Sequence, residues 1–270
     1  MPELPEVETV KETLKKQVLN DTILEVEINW DNIIEYPTVE EFKKQIKNQK
    51  INDIKRRGKW LMFYLDDYVL LSHLRMEGRY FIKHDEEVTK HEHVIFKLKS
   101  GRTLRYIDTR KFGKMHLIKK EEVMTREPLK SLGLEPWDKN LDINYLKEKY
   151  KNKRLPIKTV LLDQSILVGN GNIYADEVLF LSKINPHKKA SELTDEELKG
   201  IIENTKTVLE NAIKLGGTTI RTFESSEGVH GLFQNELHVH GMNICKTCNQ
   251  NILVDKIGGR STYYCPNCQK

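Results

Sequence analysis

Near the start of the chain, apolar residues recur every three or four positions, and after residue 20 they alternate with polar ones. The first pattern predicts an amphipathic helix from residue 4 to about residue 19, with Pro5 in its first turn. Its apolar face consists of Leu4, Val7, Val10, Leu14 and Val18. The second pattern, from Leu24 to Trp30, predicts a half-buried strand.

Six further short apolar segments are separated by turns that contain glycine, which predicts more strands. They are Trp60–Leu65, Val69–Leu74, Arg79–Lys83, His93–Leu98, Thr103–Asp108 and Lys114–Ile118. Many short strands in succession are typical of an antiparallel sandwich or barrel.

Helical spacing replaces the strand pattern after about residue 133. The predicted helices are Asp142–Tyr150, Pro156–Leu162, Asn172–Leu181 and Asp195–Lys214. Thr194 and Glu197 form a capping-box pattern before the last helix, and Gly216–Gly217 end it. Residues 218–236 are rich in Gly, Ser and Thr and are predicted to be a loop. We therefore predict an α+β multidomain protein, with domains at 1–133, 134–237 and 238–270.

Composition favours a folded protein with mixed surface charge. The 270 residues are 38% hydrophobic and 31% charged, with a net charge of +4. Nine basic residues and one acid, Asp108, lie between Lys97 and Lys120, and residues 50–59 are also basic. These stretches fit either a phosphate-binding surface or a solvated face. Because the sequence has no apolar run of bilayer length and no signal-peptide pattern, we expect a soluble, cytoplasmic protein.

All four cysteines lie in the last 26 residues, as two Cys-x2-Cys pairs separated by sixteen residues. In a reducing compartment this spacing indicates a zinc ribbon, with Zn²⁺ held by Cys245, Cys248, Cys265 and Cys268. Four protein ligands leave no open coordination position, so we expect one structural zinc ion. The nearby His238 and His240 are predicted to be ordinary strand residues.

Two places in the sequence could bind phosphate. Arg260 follows Gly258–Gly259 at the tip of the predicted zinc hairpin, where its guanidinium could bind a phosphate or simply be exposed. Residues 169–172, Gly-Asn-Gly-Asn, precede a helix predicted to begin at Ile173. Asn172 could cap that helix, bind phosphate, or do both.

Several motifs along the whole chain resemble those of formamidopyrimidine-DNA glycosylases. They are the start Met1-Pro2-Glu3-Leu4-Pro5-Glu6, the segments His73–Gly78, Asp108–Gly113 and Gly171–Glu177, the Gln234 region and the cysteine ribbon. The resemblance implies an N-terminal β-sandwich with a leading helix, a helix-two-turn-helix lobe and a zinc finger, with DNA in the cleft between the lobes.

The resemblance also implies the chemistry. Removal of Met1 would expose Pro2 as a secondary amine, which attacks C1′ of an oxidised purine nucleotide in duplex DNA. Base excision would be followed by β,δ-elimination at the abasic site, and Glu3 would shuttle protons. By the same resemblance Lys59 binds a phosphate beside the lesion and assists catalysis.

Further DNA contacts follow from the resemblance. His73, Asn172 and Arg260 would bind phosphates beside the lesion, and Met76, Arg110 and Phe112 would fill the space left by the extruded base. Glu77 and the loop segment Ile220, Arg221, Thr222 and Phe223 would contact the oxidised purine. One such site per chain needs no partner subunit, so we expect a monomer. Asn170 departs from the aliphatic residue expected before Gly171-Asn172.

Three other functions compete with this hypothesis. A relative resembling endonuclease VIII would use the same proline chemistry on oxidised pyrimidines, but the Leu4-Pro5 start and the Met76, Arg110 and Phe112 set favour the purine enzyme. A non-catalytic DNA-binding protein is disfavoured by intact Pro2, Glu3 and Lys59. A zinc hydrolase would need an open coordination position at the metal.

Overall fold

The computed structural model describes residues 1–84, 86–218 and 231–270, which fall into two compact units. One unit contains residues 1–130 together with Thr218 and Gly231, and the other contains residues 131–217 and 232–270. The second unit thus includes both the predicted helical region and the cysteine-rich end. The division into three domains stays a prediction.

Within its described residues, the first unit contains two α-helices and ten strands. They are α1 (Leu4–Val18), β1 (Thr22–Ile28), β2 (Ile34–Tyr36), α2 (Val39–Ile46), β3 (Gln49–Lys50), β4 (Asp53–Arg57), β5 (Trp60–Tyr64), β6 (Tyr68–His73), β7 (Arg79–Lys83), β8 (Glu92–Leu98), β9 (Thr103–Ile107) and β10 (Lys114–Lys119). The predicted leading helix and all seven predicted strands are confirmed, with ends that shift by one or two residues.

The strands form two five-stranded sheets, in the orders β3-β1-β8-β9-β7 and β2-β10-β6-β5-β4. All pairs are antiparallel apart from the short edge pair β2–β10, which is parallel. A single buried cluster combines Leu14 of α1 with Phe63 from one sheet and Phe96 from the other. This shared core confirms the predicted β-sandwich.

Helix α2 and strands β2, β3 and β4 were not predicted from the pattern. In α2 just Phe42 and Ile46 are buried, so its apolar stripe is too short to be recognised. In β4 the buried side chain is Ile54, and the basic residues around it have the composition of a solvated segment. Pairing with β5, rather than local composition, makes residues 53–57 a strand.

The second unit contains α3 (Ile143–Tyr150), α4 (Ile157–Leu161), α5 (Asn172–Leu181), α6 (Asp195–Lys214), β11 (Leu253–Ile257) and β12 (Arg260–Tyr264). The Thr194–Glu197 capping box is present, and Gly216 and Gly217 have positive φ after α6. Residues 233–236, predicted as loop, form a 3₁₀ turn. Among the described residues, no helix is both long and apolar enough to cross a membrane.

Candidate active site

The start of the chain is buried in the first unit. Pro2 and Glu3 are both buried, and Glu3 is the residue that precedes α1. The backbone nitrogen of Glu3 donates to Glu6 Oε2 at 2.9 Å. Because Pro5 lies in the first turn and lacks an N–H, the chain enters the helix with few unsatisfied donors.

An amine at the chain start is surrounded by the residues predicted to act with it. Burial lowers the pKa of the Met1 α-amine below its ordinary value of 8.0, and the charge of Lys59 lowers it further. The charges of Glu3, Glu6 and Glu77 oppose this shift. The structure therefore brings Glu3, Lys59 and Glu77 within electrostatic range of one amine.

Lys59 is held by the turn of the β4–β5 hairpin. Arg57 pairs with Trp60, so Gly58 and Lys59 form a two-residue turn, and Gly58 takes a φ of 55°. Lys59 is 6% exposed, which is unusual for a lysine and keeps its ammonium close to the protein. Arg56, a neighbour expected to make this region basic, instead pairs with Glu8 at 2.8 Å.

His73 ends strand β6 as a buried, neutral side chain. Burial, with the charges of Arg75 and Lys59, lowers its pKa from 6.5 to about 3. Its Nδ1 accepts a hydrogen bond from the Arg75 backbone nitrogen at 3.0 Å, and Trp60 packs edge-on against the ring. The proton of the neutral ring is therefore on Nε2, which is a donor suited to a phosphate oxygen.

The two predicted void-filling loops meet at one tyrosine. Gly78 ends the loop that carries Met76 and Glu77, and Gly113 ends the loop that carries Arg110 and Phe112. A Cβ atom on either glycine would overlap the hydroxyl of Tyr106, which is buried between them. A hydroxyl contact between Thr109 and Glu77 also joins the loops. Phe112 is 49% exposed, and the Arg110 guanidinium lies 4.8 Å from its ring centroid.

Asp108 shapes the Arg110–Phe112 loop. Its fully buried carboxylate accepts hydrogen bonds from the backbone nitrogens of Arg110 at 3.0 Å and Gly113 at 2.8 Å. Sequence reasoning did not assign this residue a role. The available signal was its position, because an aspartate that begins a turn often binds backbone N–H groups two or more residues later.

Glu6 is a second residue that sequence reasoning missed. It is fully buried, and its Oε1 accepts hydrogen bonds from the nitrogen and hydroxyl of Thr218. Capping-box patterns are recognised by Ser or Thr at the N-cap, whereas this helix has Glu3 there. The predicted lesion-contacting residues Ile220, Arg221, Thr222 and Phe223 lie outside the described residues.

In the second unit, Asn172 is the first residue of α5, and Gly171 is its N-cap. The prediction that Asn172 caps the helix is therefore wrong. The flexible glycine takes the extended cap conformation, and the Asn172 side chain points elsewhere, because Nδ2 donates to the Ser261 carbonyl at 2.8 Å. The second N–H of the Asn172 side-chain amide is the donor that could bind a phosphate.

Arg260 lies where the hairpin turn enters β12, opposite Ile257, and its side chain is exposed. The four cysteine Sγ atoms lie within 4.8 Å of one another, with Cys245–Cys268 at 3.9 Å and Cys248–Cys265 at 3.4 Å. Tetrahedral Zn–S bonds of about 2.3 Å place sulfur atoms about 3.8 Å apart. The cluster is thus a possible metal site with the donor set and spacing that zinc requires.

His238 and His240 are not strand residues, so that prediction is wrong. They lie in a turn segment where each ring contacts a buried carboxylate of α5, Glu177 for His238 and Asp176 for His240. Glu177 also accepts the backbone N–H groups of residues 238, 239 and 240. Carboxylates of a helix, rather than a neighbouring strand, therefore bind this segment.

Comparisons with known proteins identify the family. The formamidopyrimidine-DNA glycosylase N-terminal domain profile matches residues 1–115, and the corresponding H2TH domain profile matches residues 132–224. Formamidopyrimidine-DNA glycosylases from Oceanobacillus iheyensis and Bacillus cereus are 48% and 49% identical, over all of this chain and 98% and 99% of theirs. The chain belongs to the formamidopyrimidine-DNA glycosylase family.

Solved structures of this family agree with the fold. A Lactococcus lactis Fpg variant bound to DNA containing Fapy-dG has a TM-score of 0.93 and 38% identity, with full coverage of both chains. The same values hold for the Lactococcus lactis Fpg complex with DNA containing an abasic site. The family carries DNA glycosylase and abasic-site lyase activities.

Proposed function

We propose that this protein is a bifunctional DNA glycosylase and abasic-site lyase of base excision repair that removes oxidised purines from duplex DNA. The observation that carries the proposal is the buried chain start, where the Met1 α-amine, one residue from the Pro2 nitrogen, has a lowered pKa and lies within electrostatic range of Glu3 and Lys59. A neutral amine is the nucleophilic form, and burial beside a lysine increases its share at pH 7.

The chemistry starts after Met1 is removed. The Pro2 nitrogen forms a bond to C1′, the glycosidic bond breaks, and the base leaves with its electron pair and a proton. Glu3 supplies protons to the sugar as its ring opens. The resulting iminium ion acidifies C2′–H, and loss of that proton breaks the C3′–O bond. A second elimination then breaks the C5′–O bond, and hydrolysis releases Pro2.

Several of the proposed DNA contacts come from residues whose loops or side chains are held by buried neighbours. Lys59, His73, Asn172 and Arg260 bind phosphates near the lesion, His73 as a neutral Nε2–H donor. Met76, Arg110 and Phe112 enter the space left by the flipped nucleotide, and Asp108 and Tyr106 support their loops. Glu77 and residues 220–223 contact the extruded base. A protein that acts on chromosomal DNA of a bacterium works in the cytoplasm, and one site per chain fits a monomer.

One structural zinc ion completes the protein. Cys245, Cys248, Cys265 and Cys268 hold it, and their complete ligand shell leaves no position for a reacting water molecule. Zinc binding stabilises the β11–β12 hairpin and thereby fixes the turn that carries Arg260. The apolar cluster beside the cysteines supports a stabilising role for zinc, because this cluster is small and two of its buried residues are cysteines themselves.

Borohydride trapping tests the proposed function. The processed protein is incubated with duplex DNA that holds one 8-oxoguanine opposite cytosine, borohydride is added, and the adduct is mapped by mass spectrometry. We expect an adduct at Pro2 and cleavage on both sides of the sugar. Protein that binds the duplex without adduct or cleavage would overturn the purine assignment.

A second substrate arm addresses the endonuclease VIII-like alternative. Lactococcus lactis Fpg has been solved in complex with DNA containing an oxidised pyrimidine. A duplex with an oxidised pyrimidine is therefore run beside the 8-oxoguanine duplex. Faster excision of the pyrimidine would replace the purine assignment, whereas binding without excision of either base would indicate a non-catalytic protein.

A further inference from the structure

Two side chains on one face of α5 hold the outer edge of the zinc hairpin. Asn172 and Asp176 are four residues apart and therefore lie on the same helix face. Asn172 Nδ2 donates to the Ser261 carbonyl at 2.8 Å, and the Tyr263 nitrogen donates to Asp176 Oδ2 at 3.2 Å. These backbone groups lie on the edge of β12, and α5 takes the place of a third strand there.

Asp176 is itself fixed by buried partners. Its side chain and that of Lys158 are both fully buried, and Lys158 Nζ lies 2.5 Å from Asp176 Oδ1. The same ammonium donates to the Asn172 carbonyl at 2.7 Å. A buried ion pair is stable when its remaining hydrogen-bonding positions are filled, and Asp176 Oδ2 is the position left for other donors.

His240 provides a donor to that second oxygen. Its Nδ1 lies 2.6 Å from Asp176 Oδ2, the atom that also accepts from the Tyr263 nitrogen. The imidazole packs against the Tyr263 ring, with centroids 4.7 Å apart. His240 thus contacts both the carboxylate and the strand that the carboxylate holds.

We infer that His240, acting through Asp176, is a positioning residue for the phosphate contacts of Arg260 and Asn172. This inference rests on the proposed function. Arg260 is three residues from Tyr263 on the same strand, and Asn172 is one helical turn from Asp176. The network therefore fixes the spacing between two proposed phosphate ligands, and two groups bind one DNA backbone well when their spacing is set beforehand.

The His240→Phe variant keeps a ring beside Tyr263 and loses the donor to Asp176. We measure its affinity for duplex DNA carrying a tetrahydrofuran abasic-site analogue, and its single-turnover excision rate at saturating enzyme. We expect the Kd to rise about fivefold, a fraction of the loss expected for a whole charge-assisted hydrogen bond. The saturated excision rate should stay within about twofold, because Pro2, Glu3 and Lys59 are unchanged. His240→Asn, whose amide can replace Nδ1, is the matched variant and should bind like the unmodified protein.

The Arg260→Ala background separates positioning from stability. If His240 acts by placing Arg260, most of the His240→Phe effect disappears once Arg260 is absent. An equal loss of affinity in both backgrounds, or no loss in either, would overturn the inference. His240→Leu replaces His240→Phe if the latter does not fold with zinc bound, and failure of both variants to fold would also overturn it, because His240 would then be required for folding. Absence of 8-oxoguanine excision by the unmodified protein would instead refute the proposed function.

Discussion

Glu6 Oε1 accepts a hydrogen bond from the Thr218 nitrogen at 2.8 Å, although the two residues are 212 positions apart in the chain. The other oxygen of the same buried carboxylate accepts from the Glu3 nitrogen. One side chain therefore binds the residue after Pro2 and a residue two positions before the proposed lesion-contacting segment.

Substitution of Glu6 tests this connection. Glu6→Ala leaves the Glu3 and Thr218 nitrogens without their acceptor, so we expect a loss of about 2–4 kcal/mol in the free energy of unfolding, measured in urea. Formation of the borohydride adduct should slow as well, because the Glu3 nitrogen loses its hydrogen bond to Glu6 Oε2. Glu12→Ala, at a more exposed position on the same helix, should change stability by less than about 0.5 kcal/mol. Equal stabilities of the two variants would contradict the role of Glu6.

The charges around the chain start predict opposite shifts in the pH dependence of adduct formation. The amine reacts when neutral, so the rate falls as pH drops through its pKa. The Lys59 charge lowers the pKa of the Met1 α-amine, so Lys59→Gln should raise the pKa of the adjacent Pro2 amine and move the acid limb to higher pH. Glu77→Gln removes a charge that raises the pKa and should move the limb to lower pH. Single-turnover trapping from pH 5 to pH 9 measures both limbs, and shifts in the same direction would refute the electrostatic account.

His73 should make the protein less stable in acid. Its pKa is about 3 in the folded protein and 6.5 when unfolded, so below pH 6.5 the unfolded chain binds a proton that the folded protein excludes. Above pH 6.5 this contribution is zero, and at pH 5 it should cost about 2 kcal/mol. Urea unfolding of His73→Asn at pH 7 and pH 5 should therefore show a smaller acid loss than the unmodified protein. His84→Asn, at an exposed position, should retain the full loss.

Gly113 should be sensitive to the smallest side chain. In Gly113→Ala the new Cβ overlaps the Tyr106 hydroxyl, and we expect destabilisation of about 1–3 kcal/mol from overpacking. Adding Tyr106→Phe removes that hydroxyl and should recover part of the loss, which a double-mutant cycle measures. Gly200→Ala, in α6 with ordinary contacts around the new Cβ, should be neutral or slightly stabilising. Strict additivity of the Gly113 and Tyr106 changes would contradict the overlap.

Removal of zinc should unfold the hairpin and weaken DNA binding. The apolar cluster beside the cysteines is too small to fold this segment without metal. We expect one zinc ion per chain by elemental analysis, and after chelation we expect faster hydrogen exchange in β11 and β12. The β-sandwich strands serve as the internal control and should keep their protection. Unchanged exchange and activity in a metal-free preparation would rule out a structural zinc ion.

The sequence predicted elements whose apolar period is long, such as α1, α5 and α6, and strands whose alternation fills a core. It did not predict α2 or β4, where burial of one or two side chains depends on partners distant in the chain. The same distinction holds for the site. The family resemblance assigned roles to residues that react or contact DNA. Glu6, Asp108 and Asp176 lie in the same motifs but received no role, because they act through contacts that only folding creates. Their carboxylates bind backbone groups, and no periodic pattern records such contacts.

Four of the nine basic residues between Lys97 and Lys120 form ion pairs within the protein. Lys97, Arg102, Arg105 and Lys114 pair with Glu25, Asp21, Glu92 and Glu35, respectively. Lysines and arginines that are already in ion pairs release few counterions from DNA. The dependence of DNA affinity on salt concentration reflects the number of phosphates that the protein neutralises. Binding to duplex DNA should therefore weaken with ionic strength less steeply than the number of lysines and arginines in this stretch suggests.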